Sequence, residues 1–445
     1  MKRIIFLIVI QILCFKVFSQ EYRPKIDSLL NAYVSINKFN GTVLVTENGQ
    51  TIYHNSFGYN NKKKDIYLKN NDVFPIGSLT KPFTSILILK LIEKKLICLD
   101  DKISKFIPEY PSGSEITIQN LLTHTSGIYE ELRNPKYLEQ LYSKKTFNHY
   151  EKMSFFINEP LDFEPGSKFN YCNSGYSLLG IIIEKITGSS YSQNLKKYIF
   201  DPLGMKNTGF DYSRVKKNKV IGYGYLSNSK NVEAEMANSD LLFSSGALYS
   251  NTKDLQKFYK GIKSTSIVSE KELQQSISVF KEGYGLGWFI DKIGNDSVVN
   301  HGGNIEGFTS YFAMNLHKDI CVILLSNTTS TSLERIGNSI YKIVTKQPYV
   351  VPKPKQEIKL PDETLSTYAG EYKVSDSYII KVILEDSKLF IQTNNEQKLR
   401  ILAEQETQFF IIGENIEIEF IKTNGKVAEI KIKQGLSTKF GDKIK

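Results

Sequence analysis

Strand-forming sequence occurs at both ends of a long region and is scarce in its middle, and this arrangement narrows the possible folds most. Gly41–His54 carries β-branched runs on either side of Glu47-Asn48-Gly49, the pattern of a tight hairpin. Strand character returns at Gly283–Ile290, Ser310–Met314 and Ile320–Leu325. Helical periodicity dominates between, with its clearest segment at Leu178–Ile186, and Leu333–Lys346 follows as a further helix. The order predicts an α+β domain: one antiparallel sheet completed from both ends, flanked by helices, with an inserted helical region.

A second architecture follows it. Gln347–Pro361 contains four prolines and reads as an extended linker. Beyond it come short alternating runs at Ile379–Leu384, Leu389–Thr393, Leu399–Leu402, Phe409–Ile412, Ile416–Ile421 and Val427–Ile432, with an Asn424-Gly425 turn before the last. They predict a small antiparallel β-barrel. The expected boundaries are 20–345 for the first domain, 346–361 for the linker and 362–445 for the barrel.

The N-terminus reads as a leader. Lys2 and Arg3 precede the apolar run Ile4–Phe15, and a cleavage point falls after Ser19. That run is too short to span a bilayer comfortably, and no later run is long and apolar enough for a membrane helix. An exported protein, periplasmic or secreted, with residues 1–19 removed is expected. Cleavage removes Lys2, Arg3 and Lys16, so the formal charge of +10 becomes +7. The lysines are interspersed with acids, and Lys62-Lys63-Lys64 sits in a polar turn, so no nucleic-acid partner is implied.

Of four cysteines, Cys14 lies in the leader. Cys98, Cys172 and Cys321 remain, an odd set without C-x-x-C spacing that implies neither a disulfide framework nor zinc. Cys98 and Cys321 lie in apolar runs and read as core. The five histidines show no ligand spacing, so neither metal nor cofactor is expected.

Three stretches carry candidate chemistry. In Phe74–Lys81, Pro75 and Gly77 read as a turn and a helix opens at or near Ser78. Ser78 and Lys81 are three apart, hence neighbours on one helix face. A lysine whose pKa is lowered by burial can take the serine proton. The same four residues also fit an amphipathic helix with a serine N-cap. In Glu164–Tyr176, Tyr171 and Asn173 stand two apart in a loop leading to the Leu178 helix and can share a face. A phenol relays a proton if cationic neighbours lower its pKa, and an amide can fix a lysine and a substrate carbonyl. The alternative is a surface loop where Tyr171 packs and Asn173 caps. In Asn300–Phe308, Gly302-Gly303 lets the backbone pass close to a ligand, and the Asn304 amide can then serve as an oxyanion donor beside that of Ser78. The alternative is a glycine-rich turn with an exposed His301.

Taken in order, Ser78-x-x-Lys81, Tyr171-x-Asn173 and His301-Gly302-Gly303 resemble the three signature elements of the serine β-lactamase and penicillin-binding protein family. Tyrosine in the second element resembles the class C branch with its esterase and D-Ala-D-Ala peptidase relatives. Leu121–Gly127 and Pro202–Met205 also look like that family, over about residues 25–345. The C-terminal meander is similar to the lipocalin-like domain that often follows such hydrolases. The resemblance implies a β-lactamase/transpeptidase-like fold with Ser78 as the acylated nucleophile and Lys81 and Tyr171 as general base and acid. It implies Asn173, His301 and Gly303 as binding and positioning residues, with the amides of Ser78 and Asn304 as the oxyanion hole. The implied substrate is a small molecule or peptide, cell-wall-derived peptides included; the oligomeric state stays open. One position departs from the pattern. The family usually has lysine where His301 stands, and histidine is mostly neutral at pH 7. Carboxylate recognition of β-lactams or D-Ala-D-Ala is therefore not implied, and hydrolysis of an ester, an amide or a D-amino-acid peptide is the first expectation. A carboxypeptidase or β-lactamase, and a catalytically silent sensor on the same fold, are the alternatives.

Overall fold

The computed structural model describes residues 21–226, 231–329, 332–353, 355–375, 378–393, 398–412, 416–434 and 437–445. The expected leader lies outside them. Contacts divide the chain into two compact units, one built mainly of Phe39–Thr329 and Leu333–Val350 and the other mainly of Val351–Lys445.

Helix α1 (21–35), of which the residues up to Leu30 count with the first unit, precedes that unit's strands β1 (Gly41–Glu47) and β2 (Gln50–Phe57). Asn48 and Gly49 have φ of 50° and 74°, which an Asn-Gly hairpin turn requires. Helix α2 (Thr80–Glu93) follows, then α3 (Asn173–Thr187) and α4 (Ser239–Gly246). Strands β3 (Phe289–Ile293), β4 (Asp296–Ile305), β5 (Phe308–Asn315) and β6 (Ile320–Ser326) complete the sheet before helix α5 (Leu333–Val344). The strand order is β3-β4-β5-β6-β1-β2, all antiparallel. β1 pairs β6 from Gly41↔Ser326 to Glu47↔Ile320, so the chain's early and late strands join in mid-sheet as expected.

Helix α2 is apolar nearly all round. Residues Thr80 to Leu89 are buried without exception, which makes it a core helix rather than an amphipathic one. Phe83 stacks on Phe258 with centroids 3.9 Å apart. Full burial of one such side chain contributes about 1.5–3 kcal/mol.

Several expectations shift. Ser78 sits in a short 3-10 turn, Gly77–Leu79, and the α-helix proper opens at Thr80. Of Gly283–Ile290 only its end is strand, because Gly283 and Gly287 take positive φ and turn the chain. His301 to Ile305 are not a turn but the second half of β4, held by pairs such as His301↔Phe312 and Gly303↔Ser310. Cys98 is exposed, not core: it follows the end of α2, whereas Cys321 is buried inside β6.

The second unit contains a closed antiparallel barrel of eight strands. Two of them, Gly370–Ser375 and Ser437–Lys443, were not expected, because their polar residues blur the alternation. They pair with one another at Tyr372↔Lys443 and so close the barrel. Its interior is filled by Tyr368, Tyr372, Phe409, Phe420 and Ile430, with Tyr368 stacked on Phe420 at 4.5 Å.

Candidate active site

Two glycines bring the Ser78 turn and strand β4 backbone to backbone. Gly77 has φ +52°, and a Cβ there would lie 3.0–3.1 Å from the main chain of Asn304. A Cβ on Gly303 would lie 2.0 Å from the Ile76 carbonyl oxygen and 2.6 Å from Ser310 Oγ. Ser310 Oγ donates to that same carbonyl at 2.7 Å. The Asn304 main chain therefore passes directly beside the turn that carries Ser78.

Lys81 occupies the first turn of α2 with no exposure. Its Nζ is 3.2 Å from Ser78 Oγ, 2.7 Å from Asn173 Oδ1 and 3.0 Å from the Ser245 carbonyl. Burial lowers its pKa to about 7, against the opposing pull of Glu130 and Glu131. A large share of Lys81 is thus neutral near pH 7, with a lone pair that can accept the Ser78 proton.

The Tyr171 hydroxyl interacts with Ser78, and its ring centroid is 4.7 Å from Lys81 Nζ. The cationic neighbour does not lower its pKa as anticipated. Burial dominates and pushes the phenol well above its ordinary value, so Tyr171 stays protonated. Asn173 opens α3 and turns Oδ1 to Lys81.

The sequence did not reveal what fixes Asn173. Glu130 Oε2 accepts from the Asn173 amide at 2.5 Å and Oε1 accepts from its Nδ2 at 2.9 Å. That second bond defines which way the Asn173 carboxamide points. Ser174 Oγ donates to the Tyr129 carbonyl and accepts from the Glu131 amide, tying the 129–131 loop to α3. His124, inside the Leu121–Gly127 stretch, accepts from the Cys172 amide through Nδ1 at 3.0 Å and lies 4.1 Å from the Tyr171 ring. Ser245 was another unforeseen contributor, through its backbone carbonyl.

His301 is buried rather than exposed. Its Nδ1–H donates to the Gly302 carbonyl at 2.6 Å, which leaves Nε2 to accept from Tyr284 Oη at 3.2 Å. Burial, aided by the charge of Lys81, lowers its pKa to about 3. His301 therefore brings no positive charge to the site at neutral pH. Of the seven positions singled out from the sequence, Ser78, Lys81, Tyr171 and Asn173 form one connected cluster. Gly303 and Asn304 back the Ser78 turn, and His301 stands behind Tyr171 at 6.3 Å between rings.

Comparison with known proteins places the fold in a family. Residues 26–344 match the Beta-lactamase family, and residues 354–443 match a domain of unknown function. Penicillin-binding protein 4* of Bacillus subtilis is 30% identical over 431 residues, covering 90% of this chain and 94% of that protein. The octameric penicillin-binding protein homologue from Pyrococcus abyssi superposes with a TM-score of 0.66 at 23% identity, over 94% of this chain and 99% of that one. D-amino acid amidase from Ochrobactrum anthropi SV3 gives a TM-score of 0.63 at 23% identity, over 73% and 96%. With its serine, lysine, tyrosine and asparagine gathered on this fold, the chain belongs to the Beta-lactamase family and is a serine hydrolase.

Proposed function

We propose that this protein is exported and hydrolyses an amide, ester or D-amino-acid peptide bond through a Ser78 acyl-enzyme. The observation that carries the reading is the position of Lys81 Nζ, 3.2 Å from Ser78 Oγ, fully buried and lowered to about pKa 7. Neutral Lys81 accepts the Ser78 proton as Oγ attacks the substrate carbonyl. The oxyanion develops toward the main-chain amides of Ser78 and Asn304, a reading supported by the close approach of Gly77 to the Asn304 main chain. Protonated Tyr171 donates to the leaving nitrogen or oxygen and regains its proton from Lys81. A water then repeats the sequence in reverse roles, releasing the acid and restoring Ser78.

Neutral His301 supports acyl donors that lack the free carboxylate which a lysine would attract. D-aminoacyl amides and esters satisfy that condition. A second reading, a penicillin-binding peptidase, is favoured by the 30% identity with penicillin-binding protein 4*.

Intact-protein mass of residues 20–445 distinguishes the two, with Ser78→Ala as control. The expected result is turnover of D-phenylalanine amide or a D-aminoacyl ester with no lasting penicillin adduct. A stable benzylpenicillin adduct on wild type alone would establish the peptidase reading instead. No turnover and no adduct with any acyl donor would refute the acyl-enzyme.

A further inference from the structure

A cavity of about 200 Å³ is lined by, among others, Phe147, Lys152, Tyr191, Phe210, Asp240 and Phe243. It takes no part in the chemistry above. Lys152 is 2% exposed, and its hydrogen bond, to the Asp240 carbonyl, is long at 3.4 Å. The Glu131, Asp240 and Glu130 carboxylates offset part of its charge, but an ammonium has three N–H donors, and one long hydrogen bond leaves donors for a further anionic group. The Phe243 ring lies 5.5 Å from Lys152 Nζ and 5.3 Å from the Tyr191 ring, so the cation sits in an aromatic surround. The Asp240 carboxylate, which accepts from the Phe147 amide at 3.2 Å, brings a negative charge to the same cavity. His149 and Glu184 pair with each other there.

The walls of this cavity are also supports of α2, the helix that carries Lys81. Phe243 has φ 38° and ψ −129° inside α4, a strained conformation for a residue with a side chain. The two carbonyls that follow it accept from α2: Ser244 O from Thr84 Oγ1 at 2.7 Å and Ser245 O from Lys81 Nζ at 3.0 Å. Tyr191 Oη meets the same Thr84 hydroxyl at 2.6 Å.

We propose that this cavity is a second ligand site, for an amino-acid-sized aromatic zwitterion, and that its occupancy acts on Lys81 through Phe243. The carboxylate pairs with Lys152, the ammonium with Asp240, and the ring packs among Phe147, Phe210 and Phe243. A filled cavity fixes the Phe243 side chain, and with it the carbonyls that hold Lys81 and Thr84. The coupling to activity rests on the acyl-enzyme reading; the binding does not.

The test uses the full chain and titration calorimetry with L-phenylalanine. One saturable site is expected. Phenylacetate, which lacks the ammonium, and phenethylamine, which lacks the carboxylate, are each expected to bind at least roughly tenfold more weakly. Lys152→Met and Asp240→Asn weaken phenylalanine binding by a similar factor. Ser192→Trp, at a further residue that lines the cavity, fills it and abolishes binding, and Tyr171→Phe leaves binding unchanged. Absence of saturable binding, or binding that survives Ser192→Trp, overturns the site. Loss in Tyr171→Phe places the ligand in the hydrolytic cleft and overturns it equally. For the coupling, saturating phenylalanine is expected to change the rate of Ser78 labelling by a fluorophosphonate about threefold or more, and Ser192→Trp to remove that response. An unaltered labelling rate overturns the coupling. A Ser78 that never labels refutes the acyl-enzyme reading and leaves the binding result standing.

Discussion

Glu130 holds Asn173 at two nitrogens, the backbone amide at 2.5 Å and the side-chain Nδ2 at 2.9 Å, and so turns Asn173 Oδ1 onto Lys81. Replacing the carboxylate by an amide removes an acceptor and presents an NH₂ to an NH₂. Glu130→Gln is expected to lower kcat about 10–100-fold with a smaller change in KM, within the range for a misplaced proton-transfer group. Glu130 also raises the Lys81 pKa, so its removal shifts the acid limb of the rate profile to lower pH. Partial recovery in Glu130→Asp, together with that shift, identifies a positioning residue. A kcat loss with an unmoved limb rejects the role.

Acylation of Ser78 requires neutral Lys81. With a Lys81 pKa of about 7, the fluorophosphonate labelling rate is expected to rise with pH across roughly pH 6–8 and then level off. Lys81→Met is expected to lose about 10²–10⁴ of that rate. His301, lowered to about 3, adds no limb near pH 6.5, and His301→Gln leaves the midpoint in place. A wild-type profile flat from pH 5 to 9 would exclude Lys81 as the base.

Burying Lys81 also leaves a mark on stability. Its folded pKa, about 7, is below the value of about 10.5 for an unfolded lysine. The unfolded chain therefore binds the extra proton between those values, and stability rises with pH there. The penalty is complete below pH 7 and gone above about 10.5. Relative to Lys81→Met, wild type is expected to gain about 1.4 kcal/mol per pH unit in the middle of this window. Urea unfolding of both proteins at pH 7, 8 and 9 measures the difference, and parallel curves would contradict a depressed Lys81.

Gly302 and Gly303 are adjacent but not equivalent. A Cβ on Gly303 meets the Ile76 carbonyl at 2.0 Å, whereas on Gly302 the nearest atom is Ser310 O at 3.6 Å. Gly303→Ala is expected to cost about 1–3 kcal/mol and to displace the Ser78 turn from Asn304, with a large loss of labelling. Gly302→Ala leaves stability within about 0.5 kcal/mol. Equal tolerance at both positions, read from melting curves and labelling, would remove Gly303 from the support of Ser78.

Chemistry encoded within a few residues could be read directly from the chain. Ser78 and Lys81 are linked by helix geometry, and Tyr171 and Asn173 by the short loop that opens α3. The hairpin Gly41–His54 and the alternating runs of the barrel were equally local, because strand period and turn chemistry are properties of the segment itself. What the chain did not disclose depends on pairs distant in sequence. Glu130 lies 43 residues from Asn173 and Ser245 lies 164 from Lys81, and nothing in their local pattern names the partner. The pKa of Lys81, the neutrality of His301 and the protonated state of Tyr171 are set by burial, which only packing decides. The sequence alone determined which groups are available for catalysis; the tertiary structure decided their charge and orientation, because desolvation and long-range hydrogen bonds exist only once the distant segments have come together.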